Sequence, residues 1–380
     1  MPSSQHCTQQ GFRMNVLREV ARPTERPSSA AAPVKLTVFQ SWCPALDEAA
    51  ANLPEDSDWP RELYTALAKN VPERAGRFVM WTERDVPVGV AAFVRRPQGI
   101  WEPVTHWILP GLVGLAVPSR IGELFAQLPF CTRVAWWRMV EPVPSGGHVR
   151  HAATQSTYGM SCSANFEAYW KQTGQLRAVK KARDRCRDFA VSYNEPGIGK
   201  WVLQQAGKHW LGGDRADSSH LANRALTAGY LEALGKLLTI ALRDGQTLVA
   251  AEACIIHRQD LVLWTTFRDR SYDYHGLGNR LMELAYHRAR DHGLAGIDIG
   301  GGFMEYKRRW APQAGTKARL LISPLVHYAE YKLRRALSSA WNGVSRKLEK
   351  LLAAVLTISA LFQRLQEDGL ESLVLSFLAV

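Results

Sequence analysis

The chain has 380 residues, 46% of them hydrophobic and 22% charged, so it is long enough to bury a sizeable core without disulfides and is neither a disordered nor a fibrous polypeptide. Lys and Arg number 47 against 35 acidic residues, a net charge of +12, which points to anionic partners such as nucleotide phosphates, tRNA, acidic lipid or acidic glycans. No run approaches the roughly 20 apolar residues of a membrane-spanning helix. The six cysteines form no Cys-x-x-Cys and the histidines show no metal-ligand spacing, so reduced thiols in a cytoplasmic, metal-free protein are expected.

Met1 to Pro33 is rich in Ser, Pro, Ala and Gln and reads as a disordered lead-in. Order is expected from Val34, where Val34 to Phe39 alternates like a half-buried strand. Helices are expected at Leu46 to Leu53 and Leu63 to Lys69. A hairpin then pairs Phe78 to Thr82 with Val88 to Val94 around Asp85-Val86-Pro87. Trp101 to Leu109 and Arg133 to Met139 read as strands, with Ile121 to Leu128 as a helix between them. Glu141 to Gly147, with two Pro and two Gly, reads as a linker.

Beyond it, Ser156 to Met160 is a predicted strand, Asn165 to Phe189 a long basic helix, Val191 to Tyr193 a short strand, and Tyr230 to Arg243 an apolar helix. Thr247 to His257 and Asp260 to Phe267 form a second hairpin. Arg280 to His292 is a helix, Ala295 to Ile299 a strand, and Leu320 to Ile322 the last strand. From Val326 to Val380, basic residues flank an apolar run in which Leu351, Val355, Ile358 and Phe362 recur at helical spacing. This tail is read as helical and partly buried; the alternative is peripheral contact with an anionic membrane face.

The chemistry concentrates between the second hairpin and Trp310. A strand that runs through His275-Gly276-Leu277-Gly278-Asn279 into a helix start offers backbone N–H groups without internal partners, which suit a pyrophosphate. Next comes Gly296 to Gly302, a strand ending in glycines, where something can approach the backbone. Glu305-Tyr306-Lys307-Arg308-Arg309-Trp310 then supplies ionisable and aromatic groups.

The pattern Tyr272-x-Tyr274-x-Gly276-x-Gly278, helix, Gly293-Leu294, Asp298, Gly301, Tyr306-Lys307-x-x-Trp310 resembles the CelD/BcsL-type acetyltransferases of the GNAT superfamily, relatives of the FemAB-type transferases. The basic helix from Tyr169 to Phe189 and the aromatic-rich start around Trp42 and Trp59 are similar to the same family. The resemblance implies an α/β (α+β) fold of tandem GNAT-like domains, at 34–150 and 151–325, each a mixed central sheet flanked by helices. It further implies acetyl-CoA or another acyl-CoA bound by the second domain, and direct transfer to an amine without a covalent intermediate, so that Cys254 need not act as a nucleophile. On this reading Tyr274, Gly276, Gly278, Asn279 and Arg280 hold the CoA, and Arg177, Lys181 and Trp310 face the acceptor. Two departures stand out: the loop lacks the family's Ser-Pro-Gly, and Ile299 to Met304 lacks the Arg and the acidic residue that the family carries there.

Single residues keep two readings. Asp298 is a catalytic base or a strand-end cap. Tyr306 protonates the leaving thiolate or packs as an aromatic. Lys307 holds a phosphate or the acceptor, or is a surface lysine. Glu252 is a buried carboxyl with a raised pKa suited to deprotonating an ammonium, or points outward. His275 is a further candidate. The acceptor is a small-molecule or glycan amine, in polysaccharide or cell-envelope biosynthesis. Two rivals remain: a FemAB-like transferase drawing on aminoacyl-tRNA, favoured by the basic helix and the net charge, and a non-catalytic GNAT-fold binding module.

Overall fold

The computed structural model describes residues 33–337 and 341, apart from 57, 97, 98, 107, 118, 140, 163, 164, 211–217 and 302–304. The expected lead-in, Pro33 excepted, and the apolar stripe of the tail beyond 341 lie outside the described residues. From Val34 onward the chain forms one unit. Among the described residues no helix is long and apolar enough to cross a membrane.

Described strands join in one mixed sheet, as the α/β expectation requires. The first half supplies β1 (Val34–Phe39), β2 (Gly76–Glu83), β3 (Val86–Arg95), β4 (Trp101–Pro103), β5 (Leu115–Ala116) and β6 (Thr132–Trp136). The second supplies β7 (Val149–Ser161), β8 (Ala190–Tyr193), β9 (Leu237–Asp244), β10 (Thr247–His257), β11 (Asp260–Arg268), β12 (Gly296–Gly301) and β13 (Gln313–Ile322). Their order is β1-β2-β3-β4-β6-β13-β7-β12-β11-β10-β9-β8, with β5 paired to β3. The last strand therefore sits in the middle: β13 pairs antiparallel with β6 on one side and with β7 on the other, and joins the two halves into one sheet.

Alternation along the strands feeds two faces. On β3, Val90, Ala92 and Val94 enter one core while Ala91 and Phe93 enter another. The first core spans both halves and packs α1 (Pro44–Asn52) and α2 (Arg61–Lys69) together with α6 (Ile198–Trp210) and α7 (Ser218–Ala233). The opposite face carries α3 (Ile121–Phe125) over the first half. Over the second half it carries α4 (Phe166–Gln172), α5 (Leu176–Arg185) and α8 (Leu277–Asp291). A short helix, α9 (Glu305–Trp310), lies between β12 and β13.

Three expectations are corrected. Tyr230 to Arg243 is not a helix: α7 ends at Ala233, Gly235 turns with φ +66, and Leu237 begins β9. The run from Leu237 to Leu242 is apolar but for Thr239 because Leu237 and Ala241 feed one core and Leu238, Ile240 and Leu242 the other, and such a run reads equally as a buried helix. The basic helix predicted over Asn165 to Phe189 is two helices, parted at Gly174 with φ +73. The strand predicted over Trp101 to Leu109 stops at Pro103, whose carbonyl accepts from the His106 amide, and the chain turns while Val104, Ile108 and Leu109 stay buried.

One side chain ties the first half to the second. Arg138, just past β6, reaches Asp260 at the start of β11 (2.6 Å), Asp298 of β12 (3.0 Å) and, through Nε, the Nδ1 of His257 (3.0 Å). Burial works against its charge, but the two carboxylates more than compensate and raise its pKa. Because His257 accepts at Nδ1, burial and the neighbouring guanidinium keep its ring neutral, with its pKa pushed down to about 4. The ring stacks on Trp59 at 5.4 Å. Truncating Arg138 to Ala leaves two carboxylates facing one partly buried space, and denaturant unfolding should register a loss of about 3 kcal/mol. A loss below about 0.5 kcal/mol, the scale of an exposed pair, would show that this cluster carries no structural weight.

Candidate active site

The site begins where two neighbouring strands separate. β11 and β12 pair in parallel over three rungs only, Asp260 with Gly296, Leu261 with Ile297, and Val262 with Asp298. β12 then shifts register against β7 between Asp298 and Gly300, where Gly300 adopts φ +78, while β11 stays with β10 as far as Arg268. Past Val262 the outer edge of β11 has no partner strand among the described residues, so its backbone donors and acceptors face the opening.

A cleft of about 550 Å³ occupies this gap. Leu263 to Thr266 of β11 form one wall, Gly278, Asn279 and Met282 of α8 another, and Lys307 and Trp310 of α9 close it beside Ile299 of β12. Glu252 and Arg224 reach it from β10 and α7. A bulge places two residues of β11 where β10 has one step: Ala253 faces Thr265 but Cys254 faces Leu263, leaving Trp264 as the extra residue. Such bulges re-aim side chains beside sites. The guanidinium of Arg224 lies 5.4 Å from the Trp264 ring, and burial lowers its pKa to about 10.

Glu252 is the group with the clearest chemical character. It is buried, its Oε2 accepts from the Thr266 hydroxyl at 2.6 Å, and its Oε1 has no hydrogen-bond partner. Burial raises its pKa to about 8, against the opposing pull of the Thr266 hydrogen bond and the Arg268 charge. A carboxyl of this kind takes up and releases a proton near neutral pH.

The first turn of α8 supplies the second element. Gly276 takes φ +72 as its N-cap, and its carbonyl accepts from the amides of Asn279 (2.9 Å) and Arg280 (3.2 Å), leaving those of Leu277 and Gly278 to an outside acceptor. A Cβ on Gly278 would come within 3.0 Å of the Arg268 guanidinium, so a cation already stands over this helix start. The glycine and the helix terminus fit an anionic group such as the pyrophosphate of an acyl-CoA.

The structure brings Glu252, Gly278, Asn279, Lys307 and Trp310 together around the cleft. Lys307 is buried, which lowers its pKa, with Asp298 acting in the opposite sense. Trp310 packs edge-on against Trp170 at 4.6 Å. Tyr306 lies on α9, but its side chain is outside the described residues. The other candidates stand elsewhere. Asp298 is held by Arg138 and accepts from the Gly300 amide at 2.7 Å, across the point inside β12 where the register against β7 shifts. Arg280 is bound by the buried Glu283 (2.6 Å), which also receives Arg183 from α5 (2.7 Å). Tyr274 is 70% exposed beneath the guanidinium of Arg185. His275 packs its ring against Phe189 and Tyr272. Arg177 and Lys181 lie with Lys180 and Arg185 along a shallow groove on α5. Sequence reasoning missed Arg224, Arg268, Thr266 and the bulged Trp264. The signal available was that Thr266 falls opposite Glu252 once the hairpin is put in register.

The buried carboxyl also sets a pH dependence. Folded Glu252 keeps its proton up to about pH 8, whereas the unfolded chain releases it near the ordinary value of 4.5. The stability due to that proton is whole below the unfolded pKa and is lost as pH rises through the folded one. Glu252→Gln has no proton to lose, so its melting temperature relative to the parent should climb between about pH 5 and pH 8 and then level off. A constant offset over that interval would show that the carboxyl titrates normally.

Residues 177–308 match the family model described as an acetyltransferase (GNAT) domain. No curated protein matches the chain. Among solved structures, L-PGS from Bacillus licheniformis aligns with a TM-score of 0.44 and 11% identity over 75% of this chain and 98% of that one. FemX aligns at 0.43 and 10%, over 76% and 96%. A tandem GNAT protein from the clavulanic acid biosynthesis pathway aligns at 0.39 and 11%, over 76% and 97%. The match to the GNAT model runs from α5 into α9, so the parting strands, Glu252 and the start of α8 all fall within the matched segment.

Proposed function

We propose that the chain is an acyl-CoA-dependent N-acyltransferase that passes an acyl group, acetyl in the simplest case, from a CoA thioester directly to an amine. The observation that carries this reading is a protonatable carboxyl with one bare oxygen, Glu252, in a cleft that also holds a helix N-terminus and the free edge of a strand. The donor supplies an activated carbonyl and a thiolate leaving group. The helix start at Gly278 and Asn279, with Arg268 above it, attracts its phosphates. Ionised Glu252 takes the proton from the incoming ammonium, directly or through a water. The amine nitrogen then bonds to the thioester carbon, and the β11 edge past Val262 offers N–H groups to the oxygen that becomes negative. When the C–S bond breaks, Tyr306 protonates the departing thiolate and is reprotonated by the second proton that the nitrogen gives up on becoming an amide, with the Lys307 ammonium as a nearby counter-charge. The acceptor is an amine of a small molecule or glycan, and Trp310 contributes an apolar wall beside it.

A second reading has one observation in its favour. Arg177, Lys180, Lys181 and Arg185 lie along one exposed groove of α5, a surface suited to a polyanion, so aminoacyl-tRNA remains the rival donor. Binding of that kind would weaken steeply with salt.

With acetyl-CoA and an amine acceptor, Glu252→Gln should lower kcat/KM by about 10²–10⁴-fold and abolish the rise in rate towards pH 8, and Tyr306→Phe should lower kcat with little change in melting temperature. Retention of the parent's pH profile by Glu252→Gln would remove Glu252 from the proton path. Unchanged kcat in Tyr306→Phe would leave that tyrosine a packing residue.

A further inference from the structure

A second charged cavity lies on the first half of the chain. Arg77 of β2 faces Phe93 of β3, and Arg95 stands two residues further along β3, opposite Trp101 of β4, so both arginines project from the same sheet face. That face is otherwise apolar, with Val79, Trp81, Ala91 and Phe93 buried in its core. The guanidinium of Arg77 sits 4.5 Å from the centroid of the Trp101 ring and 5.2 Å from that of Phe130. Burial, then the charge of Arg95, lowers its pKa, and no carboxylate counters either effect. A half-buried cation pressed against a like charge is stabilised by an anion placed between them.

Residues 325–337 form a helix whose His327, Glu330, Tyr331 and Arg334 complete a cavity of about 230 Å³ with Arg77, Arg95 and Trp101. Gly99 lets this helix approach: a Cβ there would meet Arg334 at 3.0 Å. Glu330 is already engaged by Arg334, and by His327 at 3.7 Å. Three guanidinium groups therefore line the cavity with a single carboxylate among the lining residues, and that carboxylate is paired with Arg334.

We propose that this cavity is an anion site for a phosphate group, held by Arg77, Arg95 and Arg334 and separate from the catalytic cleft. Guanidinium groups bind phosphate through paired N–H donors, and a flat aromatic platform beneath Arg77 holds its plane in place. The phosphate belongs either to a free phosphorylated molecule or to a lipid headgroup. Val326, Leu333 and Leu337 lie exposed on the same helix next to the cavity, where acyl chains would run.

Isothermal titration of the full chain with inorganic phosphate tests the site, with flotation on vesicles containing an anionic phospholipid as the parallel arm. Phosphate binding should weaken at least about 10-fold in Arg77→Gln/Arg95→Gln and in Arg334→Gln, the latter an exposed helix position where folding is not at stake. It should persist in Gly278→Asp, which alters only the cleft. Vesicle binding that is lost in the same arginine variants and displaced by free phosphate identifies a lipid headgroup. Phosphate binding without vesicle binding identifies a soluble ligand. Unchanged affinity in the arginine variants, loss of phosphate binding in Gly278→Asp, or no binding of either probe by the parent overturns the proposal.

Discussion

The rest of the site depends on where β11 and β12 part, and Arg138 holds that point. Its two carboxylate partners are Asp260, the first residue of the parallel pairing, and Asp298, the last. One guanidinium thus spans the whole three-rung contact. Beyond it β12 leaves for β7 through Gly300, and β11 continues alone on that side. The cleft is the space between them. Because Arg138 comes from the segment after β6, the first half of the chain is not an appendage to the second: it supplies the cation that fixes the mouth of the cleft. β13 reinforces this by pairing with β6 and β7 at once.

A cleft made by separating strands has two consequences. Backbone groups on the open edge of β11 lack the partners a sheet normally provides, which is unfavourable in the free protein unless water or a substrate meets them. In the proposed acyl transfer the same groups would be donors for the charge that develops on the carbonyl oxygen, which is where such donors have most effect. Glu252 obeys the same logic. In a core position with one oxygen bare, it is held neutral over most of the physiological range, and its burial is what makes it a proton acceptor near pH 8 rather than near pH 4.

Local signals in the sequence located much of this. The hairpin of β10 and β11, the loop into α8 and the glycines of β12 were legible because each is a short-range pattern: alternation, a glycine before a helix, a strand ending without side chains. Gly278, Asn279, Glu252, Lys307 and Trp310 came out of those patterns and meet in the cleft. What was not legible is what depends on partners far away in the chain. Asp298 reads from the sequence as a base or a cap, and only its contact with Arg138, 160 residues earlier, makes it a structural anchor. Arg280 stands just after the helix start as a phosphate ligand would, but Glu283 one turn on holds it. Leu237 to Leu242 carries no period at all, because both faces of β9 are buried.

The central claim is that acyl-CoA enters at the start of α8, between the parted strands. Asp in place of Gly278 would set a carboxylate against Arg268 and turn the helix start from attractive to repulsive for phosphate. Thermal unfolding of the parent and of Gly278→Asp, each titrated with acetyl-CoA, tests this directly. The account predicts a rise for the parent that grows with acetyl-CoA as mass action requires, and no rise for the variant above its own melting temperature without ligand. Equal rises in both proteins, or no rise in the parent while charged tRNA stabilises it at low salt, would contradict it.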